Sequence, residues 1–86
     1  MDRITQMARD GVYRKKLLLL RKERNLLIAI QNEQIGNFES AIACYERAAI
    51  ISERLEMFTE SQLYRRKVKT LNRLKRRAVK LSLIHI

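Results

Sequence analysis

The chain contains no proline and only two glycines among its 86 residues. Strands joined by tight turns need glycine, proline or Asn-Gly pairs between them, and these are almost absent here. Hydrophobic residues make up 47% of the chain, too many for an intrinsically disordered segment. The sequence therefore predicts an all-α fold. A chain of this length forms one small domain at most, which buries only roughly 60–65% of the surface exposed by the unfolded form.

The first two predicted helices are separated by a glycine–asparagine pair. The first helix covers residues 12–35, with an earlier start near Arg3 also open. It ends at Gly36, because glycine adopts the left-handed backbone conformation without a Cβ penalty. Asn37 is then a favoured N-cap for a second helix over residues 38–55. The two helices form an antiparallel hairpin.

A third helix is predicted over residues 60–80 by a strong start signal. Thr59 and Gln62 have the spacing of a capping box, and Phe58 can pack on Leu63 as a hydrophobic staple. We expect this helix to return across the hairpin.

Apolar residues at helical spacing predict which faces are buried. The stripe of the first helix is wide enough to predict burial against more than one neighbour. It includes Leu17, Leu20, Leu27, Ile28 and Ile35, and it is widened by Leu18, Leu19, Leu26 and Ile30. The stripe of the second helix is Ala41, Tyr45, Ala48, Ser52 and Leu55, and that of the third is Leu63, Tyr64, Val68, Leu71, Leu74 and Ala78.

The cysteine content and hydropathy bear on the cellular compartment. The aliphatic runs 17–20 and 26–30 are far shorter than the ~20 residues that span a bilayer, and no secretory apolar region follows Met1. Cys44 is the only cysteine, so it forms no internal disulfide, and its helical spacing predicts a packed thiol. We expect an intracellular, cytoplasmic protein.

The net charge of +10 is distributed unevenly. Residues 1–24 carry a net +5, residues 25–64 a net −4, and residues 65–86 a net +9 with no acidic residue. Like charges at three- and four-residue spacing destabilise a helix by some tenths of a kcal/mol per pair. The glutamates of the second helix, a nucleic acid or an anionic membrane would relieve this repulsion; a solvated basic face is the plainer alternative. Candidate polyanion-binding residues are Arg65, Arg66, Lys69, Arg73, Arg76 and Arg77.

Residues 36–49 read Gly-Asn-Phe-Glu-Ser-Ala-Ile-Ala-Cys-Tyr-Glu-Arg-Ala-Ala. This order of glycine, asparagine, aromatic residues and alanines resembles the corner and second helix of a tetratricopeptide repeat. In that family the alanines lie where the two helices of a hairpin nearly touch, and the aromatic residues fill the space beside them. The matching positions are Ala29, Gly36, Asn37, Phe38, Ala41, Tyr45 and Ala48.

The sequence departs from that family in several places. Asn25 and Asn32 stand where the family has aromatic residues, no proline ends the second helix, and a further corner at the usual period of about 34 would fall on Thr70. The same corner resembles that of the microtubule-interacting and trafficking domain, a three-helix bundle with a basic and leucine pattern similar to residues 66–75. We rank that family second, because the pattern follows the corner several residues too early and Lys75 replaces an expected acidic residue.

Both resemblances imply a protein–protein interaction module. A tetratricopeptide-like adaptor or scaffold would bind a partner peptide or helix through helix surfaces. The candidate partner-binding residues are amides of the first helix, for which a solvated face is the plainer alternative: Asn25, Gln31, Asn32 and Gln34. The alternative function is a basic helical module that binds nucleic acid or an anionic membrane surface.

Catalysis has little support in the sequence. His85 is the single histidine, and no Ser/His/Asp set, metal-ligand cluster or phosphate-binding glycine loop occurs. We expect no enzymatic activity, no cofactor, no bound metal and no small-molecule substrate.

The domain organisation follows from the same features. Residues 1–80 are expected to form one tetratricopeptide-like domain. Because repeat units need roughly three copies to bury a shared core, we expect a fragment of a longer protein or a self-associating one. Residues 81–86 form an uncharged tail. It resembles the translated end of a sequencing adapter; the alternative is an apolar tail that packs on the first helix.

Overall fold

The computed structural model describes the backbone of residues 3–84 and the side-chain surroundings of residues 11–79. It contains the helices α1 (Arg3–Gln34), α2 (Phe38–Arg54) and α3 (Phe58–Ile84). α2 packs against both α1 and α3. The prediction of an all-α fold, with a helical hairpin followed by a third helix, is confirmed. The expected tail of residues 81–86 lies outside the described side chains, although α3 continues to Ile84.

The corner between α1 and α2 is a Schellman motif. Gly36 has a φ of 80°. Its N–H donates to the Glu33 carbonyl over 3.1 Å, and the Asn37 N–H donates to the Asn32 carbonyl over 2.8 Å. This is the paired bond pattern of a helix ended by a left-handed residue. Gly36 therefore ends α1 as predicted, and Asn37 precedes α2 as predicted, but the Asn37 side chain makes no capping hydrogen bond.

The corner between α2 and α3 repeats this geometry without a glycine. Glu56 has a φ of 59°. Its N–H donates to the Glu53 carbonyl over 3.0 Å, and the Met57 N–H donates to the Ser52 carbonyl over 2.8 Å. Left-handed backbone is unfavourable for a residue with a Cβ. The second corner is therefore strained where the first is relaxed.

The predicted capping box at the start of α3 is wrong. α3 already begins at Phe58, and the Ser61 N–H bonds to the Met57 carbonyl, so Met57 occupies the cap position. Thr59 lies inside the first turn, and the predicted staple partners Phe58 and Leu63 are both exposed. The left-handed corner has reversed the chain before Phe58, so the helix starts ahead of the expected cap.

The core lies where α2 meets the other two helices. The predicted small residues of α2 are buried, and Cys44 is a buried free thiol. The buried cluster consists of Ala29, Ala41, Cys44, Tyr45 and Leu71, with Leu26, Phe38, Ile42, Tyr64 and Val68 packed partly against it. The predicted face of α2 is therefore the one that packs.

The apolar stripe predicted for α1 is largely exposed, and that predicted for α3 is buried only in part. On α1, Leu17 is half-buried and Leu20, Leu27, Ile28 and Ile35 are exposed, because they lie on the side away from α2. On α3, Leu71 is buried and Tyr64 and Val68 pack against the core, whereas Leu63, Leu74 and Ala78 are exposed. Leu74 and Ala78 share the side of Leu71 but lie at or beyond the end of α2, so no helix covers them.

The molecule is elongated because its helices differ in length. α1 has 32 residues, α2 has 17 and α3 has 27. At 1.5 Å per residue, α1 extends ~22 Å past one end of α2 and α3 extends ~15 Å past the other. The dimensions are 69 × 20 × 13 Å. Within residues 3–84 no helix has the length and apolarity needed to cross a bilayer.

The two corners predict opposite effects of glycine substitution. Gly36→Ala should destabilise the fold by about 1 kcal/mol, because a Cβ is unfavourable at this left-handed φ. No atom lies within 4 Å of the added Cβ, so the cost comes from the backbone alone. Glu56→Gly should instead stabilise the fold by about 0.5–1 kcal/mol. Urea unfolding of the two variants measures both values. Destabilisation by Glu56→Gly would contradict the corner geometry.

Candidate functional site

An apolar face runs along the side of α1 that points away from α2. Tyr13, Leu20 and Leu27 recur every seven residues, and Ile28 and Ile35 follow one position further round. Seven residues are close to two helical turns, so these side chains share one side of the helix. We call these five residues the outer apolar face.

The outer apolar face lies opposite the core-facing side of α1. Lys22 and Ala29 are buried and each follows a residue of the outer face by two positions, which is 200° around a helix. The exposed fractions are 59% for Leu20, 63% for Leu27 and 77% for Ile35. Leu20, Leu27, Ile28 and Ile35 belong to the apolar stripe that the sequence predicts to be buried, and that part of the prediction is wrong.

Exposed apolar side chains are concentrated on α1 and its C-terminal turn. Eight of the thirteen exposed large hydrophobic residues among the described side chains lie there. They are Val12, Tyr13, Leu19, Leu20, Leu27, Ile28, Ile30 and Ile35. Scattered apolar side chains are ordinary on a protein surface, whereas a contiguous patch is typical of an interaction site.

The structure does not gather the four predicted amide residues on one face. Asn25 and Asn32 are half-buried, and their side-chain amides donate to the Arg21 and Ile28 carbonyls over 2.8 Å within α1. Gln31 and Gln34 are exposed. Gln31 lies four residues after Leu27, so it belongs beside the outer apolar face.

Five of the six predicted polyanion-binding residues point away from the core without an acidic partner among the described side chains. These five are Arg66, Lys69, Arg73, Arg76 and Arg77. We call them the basic face of α3. The sixth, Arg65, is paired with Glu53 of α2. Hydrogen bonds from Arg65 and then from Ser61 lower the pKa of the Glu53 carboxyl. The acidic second helix therefore relieves the charge repulsion at only one of the six.

A lysine–glutamate–tyrosine cluster joins α1 to the beginning of α3. Lys22 is only 7% exposed, and its Nζ lies 2.7 Å from Glu60 Oε2 and 3.6 Å from Met57 Sδ. The Tyr64 hydroxyl donates to the same Glu60 oxygen over 3.3 Å. Burial and the Glu60 carboxylate raise the pKa of Tyr64. The sequence carries no local signal for this contact, because it joins residues 38 positions apart.

A second cluster of the same composition joins the other end of α1 to α3. Glu33 is paired with Lys67 and accepts a hydrogen bond from the Tyr45 hydroxyl over 2.9 Å. Burial, followed by the hydrogen bond to Glu33 and its charge, raises the pKa of Tyr45 from 10.0 to about 12. Each cluster uses one lysine, one glutamate and one phenol, and each contains an ion pair between α1 and α3.

The described residues do not form a metal site, since no three histidine, cysteine, aspartate or glutamate side chains gather among them. Protein-family models, curated proteins and solved structures were compared with the chain, and none of them matches it. The geometry thus leaves two surfaces to consider, the outer apolar face of α1 and the basic face of α3.

Tyr45 predicts a pH dependence of stability. Because its pKa is raised from 10.0 to about 12, the folded state holds the phenol proton more tightly than the unfolded state. The stabilisation is therefore complete below about pH 10 and is lost as the pH rises towards 12. Urea unfolding at several pH values should show wild-type stability falling relative to Tyr45→Phe over this range. A constant difference would contradict the Tyr45–Glu33 bond; the paired comparison cancels other groups that titrate there.

Proposed function

We propose that this chain is a protein–protein interaction module, a tetratricopeptide-like adaptor or scaffold unit that binds a partner peptide or helix through the surface of α1. The observation that carries this proposal is the outer apolar face. Leu20, Leu27 and Ile35 stay more than half exposed on a helix whose other side is packed. Burying one such side chain contributes about 1.5–3 kcal/mol, so covering this face gives a partner a strong source of affinity.

The packing of the hairpin supports the tetratricopeptide resemblance. Ala29, Ala41 and Ala48 are fully buried, as expected where two helices nearly touch. Tyr45 belongs to the core cluster and Phe38 packs against it. These are the places where the family positions its small and aromatic residues.

The order of backbone contacts is consistent with a repeat unit. In helical repeats each element packs on its neighbours in sequence, and within residues 3–84 both α1 and α3 pack on α2. Ion pairs between side chains also join α1 to α3. The microtubule-interacting and trafficking domain stays second because Lys75 replaces an acidic residue expected there. We place the module in the cytoplasm, where the unpaired thiol of Cys44 stays reduced.

The proposal predicts that partner recovery depends on the outer apolar face. Leu20→Asp combined with Leu27→Asp should abolish recovery of partner proteins in quantitative pull-downs from cells of the source organism, because charge replaces apolar surface at the contact. Ile50→Asp is the matched control, since Ile50 is an exposed apolar residue on α2. Circular dichroism verifies that all variants fold. Equal recovery with the double variant and with wild type would refute the proposal.

The basic face of α3 favours a second candidate function, binding of a nucleic acid or an anionic membrane. Its five residues have no acidic partner among the described side chains. Lysine and arginine that contact phosphates release counterions, so affinity falls steeply with salt. No aromatic residue follows Tyr64 before the end of α3, so base stacking would not contribute and binding would not depend on sequence.

The second candidate predicts a steep salt dependence. Duplex DNA binding measured by fluorescence anisotropy should weaken with a log–log slope of about −4.5 if all five residues of the basic face contact phosphates. Arg66→Glu, Arg73→Glu and Arg77→Glu together should remove this binding. The matched control is Arg47→Glu with Arg54→Glu, which reverses exposed charges on α2. A slope near zero, or an equal loss in the control, would eliminate this function.

A further inference from the structure

Basic side chains flank the outer apolar face. Arg21 and Arg24 are exposed, and so is Lys16. Arg24 follows Leu20 by four residues and precedes Leu27 by three, so it lies within the apolar face and not at its edge. The ion pairs among the described side chains involve other residues. Glu23 is exposed too, and it follows Leu20 by three residues and precedes Leu27 by four, so one acidic side chain lies at this surface. Three basic residues outnumber it, and the surface is therefore apolar with a net positive charge.

The shape of the face fits a second helix. Its residues span positions 13–35 at intervals of seven with a neighbour one position on, which gives a straight apolar ridge of ~33 Å. A partner helix with apolar residues at a matching spacing can pack along such a ridge, and residues beside its apolar stripe then face the flanks of α1. About 20 residues of partner helix would cover it.

A second copy of this chain fits the face poorly. The chain carries a net charge of +10, and residues 1–24 hold eight basic and three acidic residues. Parallel packing of two α1 helices would place these basic segments together. Antiparallel packing would need acidic groups on the second half of α1, where Glu33 is already bonded to Lys67 and Tyr45. Charge therefore selects against self-association through this face.

An anionic membrane fits the face less well than a protein does. A helix that lies on a membrane inserts its apolar side and keeps its basic residues at the rim. Arg24 is at the centre of the apolar side, where insertion would carry its charge into hydrocarbon. A partner helix can place a carboxylate opposite Arg24 and form a paired, charge-assisted hydrogen bond there.

We propose that the outer apolar face of α1 binds an amphipathic helix of another protein whose apolar stripe carries acidic side chains along its edges. This inference rests on the proposed function and specifies the chemistry of its partner. The apolar ridge supplies affinity, and Lys16, Arg21 and Arg24 select acidic helices over basic or neutral ones.

The experiment is a selection from displayed helical peptides of about 20 residues. The peptides share a leucine stripe at heptad spacing, and their flanking positions are randomised among Glu, Gln and Lys. Selection on the full chain should enrich Glu at the flanks. The best peptide, made synthetically, should lose at least tenfold in affinity for Arg21→Glu combined with Arg24→Glu. It should keep its affinity for the matched control Arg73→Glu with Arg77→Glu, which reverses the same charge on α3.

The other outcomes overturn the inference in distinguishable ways. Enrichment of Lys or Gln, or binding that the Arg21/Arg24 reversal leaves unchanged, would refute an acidic partner while leaving a helix-binding module in place. Failure to select any peptide would refute it as well. So would sedimentation of the chain as a dimer that Leu27→Asp dissociates, or stronger binding to phosphatidylserine vesicles than to the selected peptide. Selected peptides that bind equally well to Leu20→Asp with Leu27→Asp would refute both the inference and the proposed function.

Discussion

The small side chains of α2 determine how closely the two longer helices lie. Ala41 and Ala48 are fully buried, and so is Ser52, whose hydroxyl donates to the Ala48 carbonyl over 2.8 Å and is thereby satisfied. Because α1 and α3 each pack on α2, larger residues here would separate both of them from the shared core and destabilise the fold by about 1–3 kcal/mol. Leu71 is the one large apolar side chain among residues 11–79 that is fully buried. The core is thin, and the helices pack through close approach of their backbones more than through large side chains.

The two lysine–glutamate–tyrosine clusters join α1 to α3 through side chains. Lys22 and Lys67 have long side chains that bridge helices whose backbones do not meet within residues 3–84. Removing one partner of a buried pair leaves an uncompensated charge, so Lys22, which is almost fully buried, depends strongly on Glu60. The clusters also fix the rotation of α3. Lys67 points towards α1, and the basic face therefore points away from it.

The sequence predicted those parts of the fold that local chemistry determines. For Gly36 and the alanines of α2, the residue type alone predicts the structural role. Glu56 does not, because a left-handed glutamate is unfavourable and only the paired hydrogen bonds of the second corner reveal it. Leu20 and Leu27 show why the candidate site could not be predicted from the sequence. An apolar stripe at helical spacing looks the same in a sequence whether a core or a partner covers it, and only the positions of the neighbouring helices decide.

The outer apolar face and the excess of positive charge have opposite effects on association between copies of the chain. Large apolar side chains left in water contribute nothing to folding and favour association between copies. A net charge of +10 opposes that association, since like-charged molecules repel and stay soluble. The same charge beside the face makes an acidic helix a better occupant than a copy of the chain. Arg24 contributes to both the repulsion between copies and the preference for an acidic helix. In the middle of the apolar face, its charge disfavours binding of an uncharged or basic helix and favours binding of a helix with a carboxylate opposite it.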